Sequence, residues 1–117
     1  RYDSPVQATG RVANEDVALD GATLPAGAPV MTAIGAANRD PEVFVDPDRL
    51  DLGRIDNHHL SFGFGAHFCL GAPLARLEAE VAFHALLDRF PHLALASETL
   101  AYRANPILRG LVALPVR

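Results

Sequence analysis

Residues 62–77 read Phe62-Gly63-Phe64-Gly65-Ala66-His67-Phe68-Cys69-Leu70-Gly71-Ala72-Pro73-Leu74-Ala75-Arg76-Leu77, a glycine-rich loop running into a helical pattern. Pro73 suits a first helical turn and Pro91 stops the segment, so the pattern predicts a helix from Ala72 to Phe90. At 1.5 Å per residue that helix is about 28 Å long. Leu70, Leu74, Leu77, Val81 and Leu87 mark one apolar stripe, and Ala75, Ala79, Ala82 and Leu86 mark a second. Two stripes predict burial around much of the circumference.

Cys69 sits where the loop becomes the helix. Unpaired N–H groups of the first turn and the positive end of the helix dipole favour negative charge at that spot. A thiol so placed is available as thiolate. Gly65 and Gly71 flank it and let the backbone lie against something large and flat without a Cβ in the way. Phe62, Phe64 and Phe68 supply an apolar wall. A thiolate in a dry loop of close approach suits a metal that takes one strong axial ligand. Other readings fit less well. A lone Cys is commonly a small buried hydrophobe, but such a residue needs no paired glycines. His58, His59, His67 and Cys69 are zinc-ligand types, yet their spacing matches neither C-x-x-C nor H-x-x-x-H. A redox thiol would lack a resolving partner, because Cys69 is the only cysteine.

Composition narrows the function classes. The chain has 117 residues, is 50% hydrophobic and 21% charged, and carries a net charge of -4. Those values describe a globular chain with the length of one compact domain, able to bury roughly two-thirds of its unfolded surface. All 10 basic residues are Arg. Without Lys there is no Schiff base, Walker-type phosphate loop or Lys nucleophile. The acidic balance and scattered Arg argue against nucleic-acid binding. A single Cys makes no intrachain disulfide, and no apolar run approaches the ~20 residues of a membrane span. Arg1 is not an initiator Met, and no signal-peptide pattern follows it. Together with a helix that asks for more surrounding mass than the chain offers, this gives the expectation of a piece of a longer protein.

The remaining segments are read as follows. Arg1 to Pro5 is expected to be a helix end passing into extended chain. Val12, Val17 and Leu19 lie in strand-like stretches, Asp20-Gly21 is a hairpin pair, and Pro25-Ala26-Gly27 is a further turn. Val30 to Ile34 reads as a buried strand, so these pieces predict a small sheet. Residues 38–61 are turn-rich, with Val43, Phe44, Leu50, Leu52 and Ile55 as sparse anchors, and a loop of that length is usually functional. From Leu93 onward short strand-like runs alternate with Asn105-Pro106 and Arg109-Gly110 turns.

Phe62-x-x-Gly65-x-x-x-Cys69-x-Gly71 resembles the haem-binding signature of the cytochrome P-450 superfamily, the haem-thiolate monooxygenases. Chance would produce it on the order of a few times per million windows. Cys69-Leu70-Gly71-Ala72-Pro73-Leu74-Ala75-Arg76-Leu77-Glu78 is similar to the loop-to-helix junction of soluble bacterial members. The resemblance implies a mainly α fold with small β-sheets. Residues 1–117 would be its C-terminal haem-binding portion, with sheet strands, meander, haem loop, long helix and terminal β segments, and no complete domain. It implies haem b (iron protoporphyrin IX), with Cys69 as metal ligand and catalytic residue, and Phe62, Gly65, His67, Cys69 and Gly71 in the cofactor loop. Arg11, in Thr9-Gly10-Arg11-Val12-Ala13, resembles the Arg that binds a haem propionate, and His67 occupies a slot used for the same purpose. Two carboxylates at the edge of a buried apolar ring need cationic or N–H partners.

By the same comparison, Arg1 resembles the Arg of a Glu-x-x-Arg motif whose Glu would lie just upstream of this sequence, and Arg49 fits the meander Arg that pairs with that Glu, with Arg54 as the alternative. Pro5-Val6-Gln7 and Pro106-Ile107-Leu108 resemble segments on the substrate side of the haem. Arg76 could face an acidic electron donor, but pairing with Glu80 at i+4 is the expected arrangement. The function implied is a cytoplasmic monooxygenase. The Cys69 thiolate donates electron density that favours O–O cleavage, and a small apolar organic substrate is oxidised with electrons from a ferredoxin or flavoprotein. The alternatives are a haem-thiolate peroxygenase, a non-oxygenase relative, or an inactive truncated fragment.

Overall fold

The computed structural model describes residues 1–117, which form two compact units: Arg1–Ser61 with Asn105–Arg109, and Phe62–Ala104 with Gly110–Arg117. In the first unit, β1 (Thr9–Val12) pairs antiparallel with β4 (Pro29–Thr32), setting Arg11 opposite Val30 and Thr9 opposite Thr32. The two threonine hydroxyls hydrogen-bond at 2.8 Å. Between these strands lies a second, separate ladder, the hairpin β2 (Val17–Leu19) and β3 (Ala22–Leu24). Its turn residues have positive φ, 47° at Asp20 and 77° at Gly21. That geometry matches the right-handed twist of the strands and selects Asp-Gly.

The apolar run from Val30 to Ile34 divides instead of forming one buried strand. Met31 and Thr32 are exposed, the strand ends at Thr32, and Ile34 opens a helical turn, α1 (Ile34–Ala37), with its side chain buried. The Gly35 N–H donates to the Gln7 carbonyl at 2.9 Å. That non-local bond fixes the turn against Gln7. Residues 1–5 form a turn instead of a helix end. The segment Asn105–Arg109 returns beside them. The Gln7 N–H donates to Ile107 O and the Arg109 N–H to Pro5 O, each at 2.7 Å, around a Val6–Leu108 bridge. Arg109 also pairs with Asp3 at 2.7 Å.

Residues 38–61 are held by side chains that reach backbone. Asn38 is fully buried: its Oδ1 accepts the Leu60 N–H at 2.7 Å and its Nδ2 donates to Ser61 Oγ at 3.0 Å. Arg1 donates to the carbonyls of Asn38 (2.7 Å) and Pro47 (3.0 Å) while its guanidinium lies over the buried Phe44 ring. Arg39 lies over Tyr2, donates twice to the Tyr2 carbonyl, and pairs with Asp48 at 2.6 Å.

In the second unit a 3-10 turn (Gly65–His67) precedes α2 (Ala72–Arg89). Pro73 stands in the first turn of α2, and the Phe90 N–H closes the last turn on Leu86 O at 2.9 Å. The tail forms isolated antiparallel bridges, Leu95 with Val116 and Tyr102 with Leu111.

The two-stripe helix is not covered. Ala72 alone is buried on α2, and Leu74, Leu77, Val81, Phe83 and Leu87 are all more than half exposed. Accessible surface totals 9514 Å², whereas a compact chain of 12.5 kDa exposes about 6,200 Å². The expectation of two-thirds burial therefore fails. The stripes describe a helix made for an apolar environment that these 117 residues do not supply.

Candidate functional site

The loop around Cys69 is built from short backbone bonds. The Cys69 N–H donates to Phe62 O at 2.9 Å, the Phe68 N–H to Gly65 O at 3.0 Å, and Ala72 N–H to Cys69 O at 3.2 Å. Phe62 therefore closes the loop onto the residue that carries the sulfur. The Phe62 and Phe68 rings meet edge to face, centroids 6.4 Å apart at 62°. Phe62 is half-buried, whereas Phe64 and Leu70 stand 86% and 98% exposed. Cys69 is a free, exposed thiol. Two large apolar side chains left in water beside an exposed sulfur describe an unfinished apolar site.

The two flanking glycines differ. Gly65 has φ of +75°, where an L side chain is strained, and a Cβ there would meet nothing within 4 Å. Gly71 has φ of -83°, and a Cβ there would lie 3.8 Å from Cys69 Sγ, an ordinary contact. Gly65 is thus required by the backbone itself. Gly71 leaves open the face beside the sulfur. Gly65→Val is expected to cost about 1–2 kcal/mol through the left-handed conformation alone, with no steric clash inside the chain. An unfolding free energy from urea titration lowered by that amount, with a matching loss of cofactor incorporation, checks it.

Phe62, Gly65, His67, Cys69 and Gly71 all lie in the second unit, within one loop and its junction with α2. His67 ends the 3-10 turn and is exposed. Arg11 belongs to the first unit, exposed on β1, with its guanidinium donating to the neighbouring Gly10 carbonyl at 2.8 Å. No three His, Cys, Asp or Glu side chains converge where they could share a metal ion. A soft sulfur donor, an open backbone face and bare apolar side chains fit a flat apolar group with a metal at its centre, such as haem.

Arg76 departs from the expected arrangement, and the two meander arginines differ in what they meet. Arg76 makes no ion pair with Glu80; its guanidinium carbon lies 4.9 Å from the Phe62 ring centroid. In the meander, Arg54 rather than Arg49 stands beside Arg1. Arg54 donates to Val45 O at 2.8 Å and Asp46 O at 3.2 Å, and its Nε is buried with no partner. Burial, then the charges of Arg54 and Arg39, lower the Arg1 guanidinium below its ordinary value. The Arg49 side chain is exposed, and only its carbonyl meets Arg1, at 3.4 Å. Asn38, in the turn-rich segment, holds the Leu60-Ser61 segment that leads into the loop.

The sequence profile of the family Cytochrome P450 matches residues 1–109. Polyketide biosynthesis cytochrome P450 PksS of Bacillus subtilis is 51% identical over 119 residues, covering 99% of this chain and 29% of that protein. Cytochrome P450 monooxygenase PikC of Streptomyces venezuelae is 52% identical over 120 residues, covering 100% of this chain and 29% of the relative. Among solved structures, P450BioI in complex with hexadec-9Z-enoic acid ligated acyl carrier protein superposes with a TM-score of 0.93 at 51% identity, over 98% of this chain and 30% of that one. The chain belongs to the cytochrome P450 family, whose members bind haem b. It spans 29% of the length of these curated relatives. No helix is long and apolar enough to cross a membrane.

Proposed function

We propose that this chain is the C-terminal haem-binding part of a cytoplasmic monooxygenase, with Cys69 as the residue whose sulfur would hold haem iron. The observation that carries the reading is the exposed Cys69 sulfur, set between an obligatory glycine turn at Gly65 and an open backbone face at Gly71. Bound there, haem supplies dioxygen activation: one oxygen atom enters a C–H or C=C bond of substrate, the other leaves as water, and two electrons and two protons are consumed. The protein's own residues do the rest. The Phe62 carbonyl orients the Cys69 backbone, Phe64, Phe68 and Leu70 offer the apolar surface that would exclude water from the sulfur once the group is bound, and Gly71 keeps the approach to it clear.

Arg11 is the propionate partner in this reading, and His67 occupies a slot that serves the same purpose. A permanent guanidinium suits a carboxylate better than an imidazole does. The substrate is a small apolar organic molecule and the electron donor a ferredoxin or flavoprotein. PikC, a named monooxygenase, and 6-deoxyerythronolide B hydroxylase, 49% identical, support oxygen insertion over peroxide use or rearrangement.

The haem-loaded protein, reduced and exposed to carbon monoxide, is expected to give the cysteinate-type absorption shift. With isotopically labelled dioxygen, the label should enter the product; label entering only from peroxide would favour the peroxygenase alternative. Arg11→Ala is expected to weaken haem retention roughly 10- to 100-fold, as for one charge-assisted hydrogen bond, leaving the cysteinate-type spectrum of bound haem intact. Equal retention in both proteins would remove Arg11 from the propionate site.

A further inference from the structure

We propose that Arg76 is a positioning residue for the Cys69 sulfur, acting through Phe62. The inference rests on the reading of Cys69 as iron ligand and adds to it a residue on the helix. Arg76 is the fifth residue of α2, on an exposed surface, with Glu80 one turn further along. Its guanidinium nevertheless takes the Phe62 ring, at 4.9 Å. Phe62 is thereby held at three points: its ring face by Arg76, its ring edge by Phe68 at 6.4 Å, and its carbonyl by the Cys69 N–H at 2.9 Å.

The geometry closes a circuit. The loop begins at Phe62 and ends where α2 begins, and Arg76 ties its first residue to the first turns of that helix. The Cys69 backbone is then fixed from both sides, by the Phe62 carbonyl before it and by the Ala72 N–H on its own carbonyl at 3.2 Å. Releasing Arg76 removes the contact on the face of the Phe62 ring, leaves its edge on Phe68, and loosens the residue whose carbonyl holds the Cys69 amide. The guanidinium has a second effect through charge. A cation beside the loop stabilises the more negative, reduced state of a thiolate-bound iron, so its removal lowers the reduction potential. An exposed cation–π pair contributes about 0.5–1 kcal/mol, which corresponds to roughly a 2- to 5-fold effect.

The test uses the haem-loaded protein and two readouts other than turnover: the rate at which the reduced carbon-monoxide complex loses its cysteinate-type band, and the reduction potential. Arg76→Gln is expected to speed band loss 2- to 5-fold and to move the potential to a more negative value. Arg76→Lys, which keeps a cation, is expected to restore part of both. Phe62→Leu removes the ring and should match Arg76→Gln in band loss, and the double variant should be no worse than the poorer single one. If Arg76→Gln leaves both readouts at the wild-type values, or lowers only the unfolding midpoint, the positioning role is overturned while the ligand assignment stands. If the wild-type protein itself lacks a cysteinate-type band, the ligand assignment fails and the positioning role with it. Should Arg76→Gln not fold, wild-type behaviour of Phe62→Leu in band loss would overturn the proposal alone.

Discussion

Cys69→Ser in the haem-loaded protein is expected to abolish the cysteinate-type spectrum of the reduced carbon-monoxide complex and to reduce turnover by more than about 100-fold. The magnitude follows from comparison with weaker perturbations. Removing a hydrogen-bonding partner behind a metal ligand costs about 10–100-fold, and this substitution removes the ligand atom itself. A serine hydroxyl is a hard, protonated donor at neutral pH and does not replace a soft thiolate on iron. The fold should hardly notice. Cys69 is exposed, the side chain changes by one atom, and the 2.9 Å bond from its N–H to Phe62 O involves backbone only. The unfolding free energy is therefore expected to change by less than about 0.5 kcal/mol. That separation of spectrum from stability makes the substitution decisive. A cysteinate-type spectrum that survives in Cys69→Ser would overturn the assignment, because the chain has no other sulfur that could ionise.

The elements that sequence reading located share a local physical cause. The β2–β3 hairpin follows from Asp20-Gly21, since both positions take positive φ and few residue pairs tolerate that. The limits of α2 follow from Pro73 and Pro91, one pre-shaped for a first turn and the other unable to continue a helix. The Cys69 loop was legible because its glycines and its cysteine are rare residues at fixed spacing. What escaped reading depended on partners distant in sequence. Ile34 joined α1 instead of the preceding strand because Gly35 bonds to Gln7. The stripes of α2 spelled out burial correctly as chemistry, but burial needs a second surface, and here Leu74, Leu77 and Val81 face none.

Arginine behaved the same way. A pairing rule at i+4 sent Arg76 to Glu80, an exposed pair worth a few tenths of a kcal/mol. An aromatic face was within reach as well, and the guanidinium took it. Arg49 and Arg54 are equally plausible as loop cations by sequence, and only the path of the meander sets Arg54 beside Arg1 with a buried, unpartnered Nε.

Asn38→Ala is expected to be the most damaging substitution outside the loop, at about 2–4 kcal/mol of stability. Asn38 has no exposed surface and spends both ends of its amide on the segment that enters the loop, Oδ1 on Leu60 N–H at 2.7 Å and Nδ2 on Ser61 Oγ at 3.0 Å. Alanine leaves the part-buried Leu60 N–H without its acceptor, at about 1 kcal/mol or somewhat more, and opens a void where the buried amide was. Ser61→Ala removes only the hydroxyl and is expected to cost about 1 kcal/mol. The ordering matters more than either value, because it assigns the larger share to the backbone N–H of Leu60. Leu60 and Ser61 immediately precede Phe62, whose carbonyl holds the Cys69 amide. Asn38→Ala should therefore lower haem retention in the same order as it lowers the urea midpoint, with Ser61→Ala between it and wild type. Haem retention unchanged in Asn38→Ala, despite a lowered midpoint, would show that the meander stabilises the first unit without setting the position of the loop.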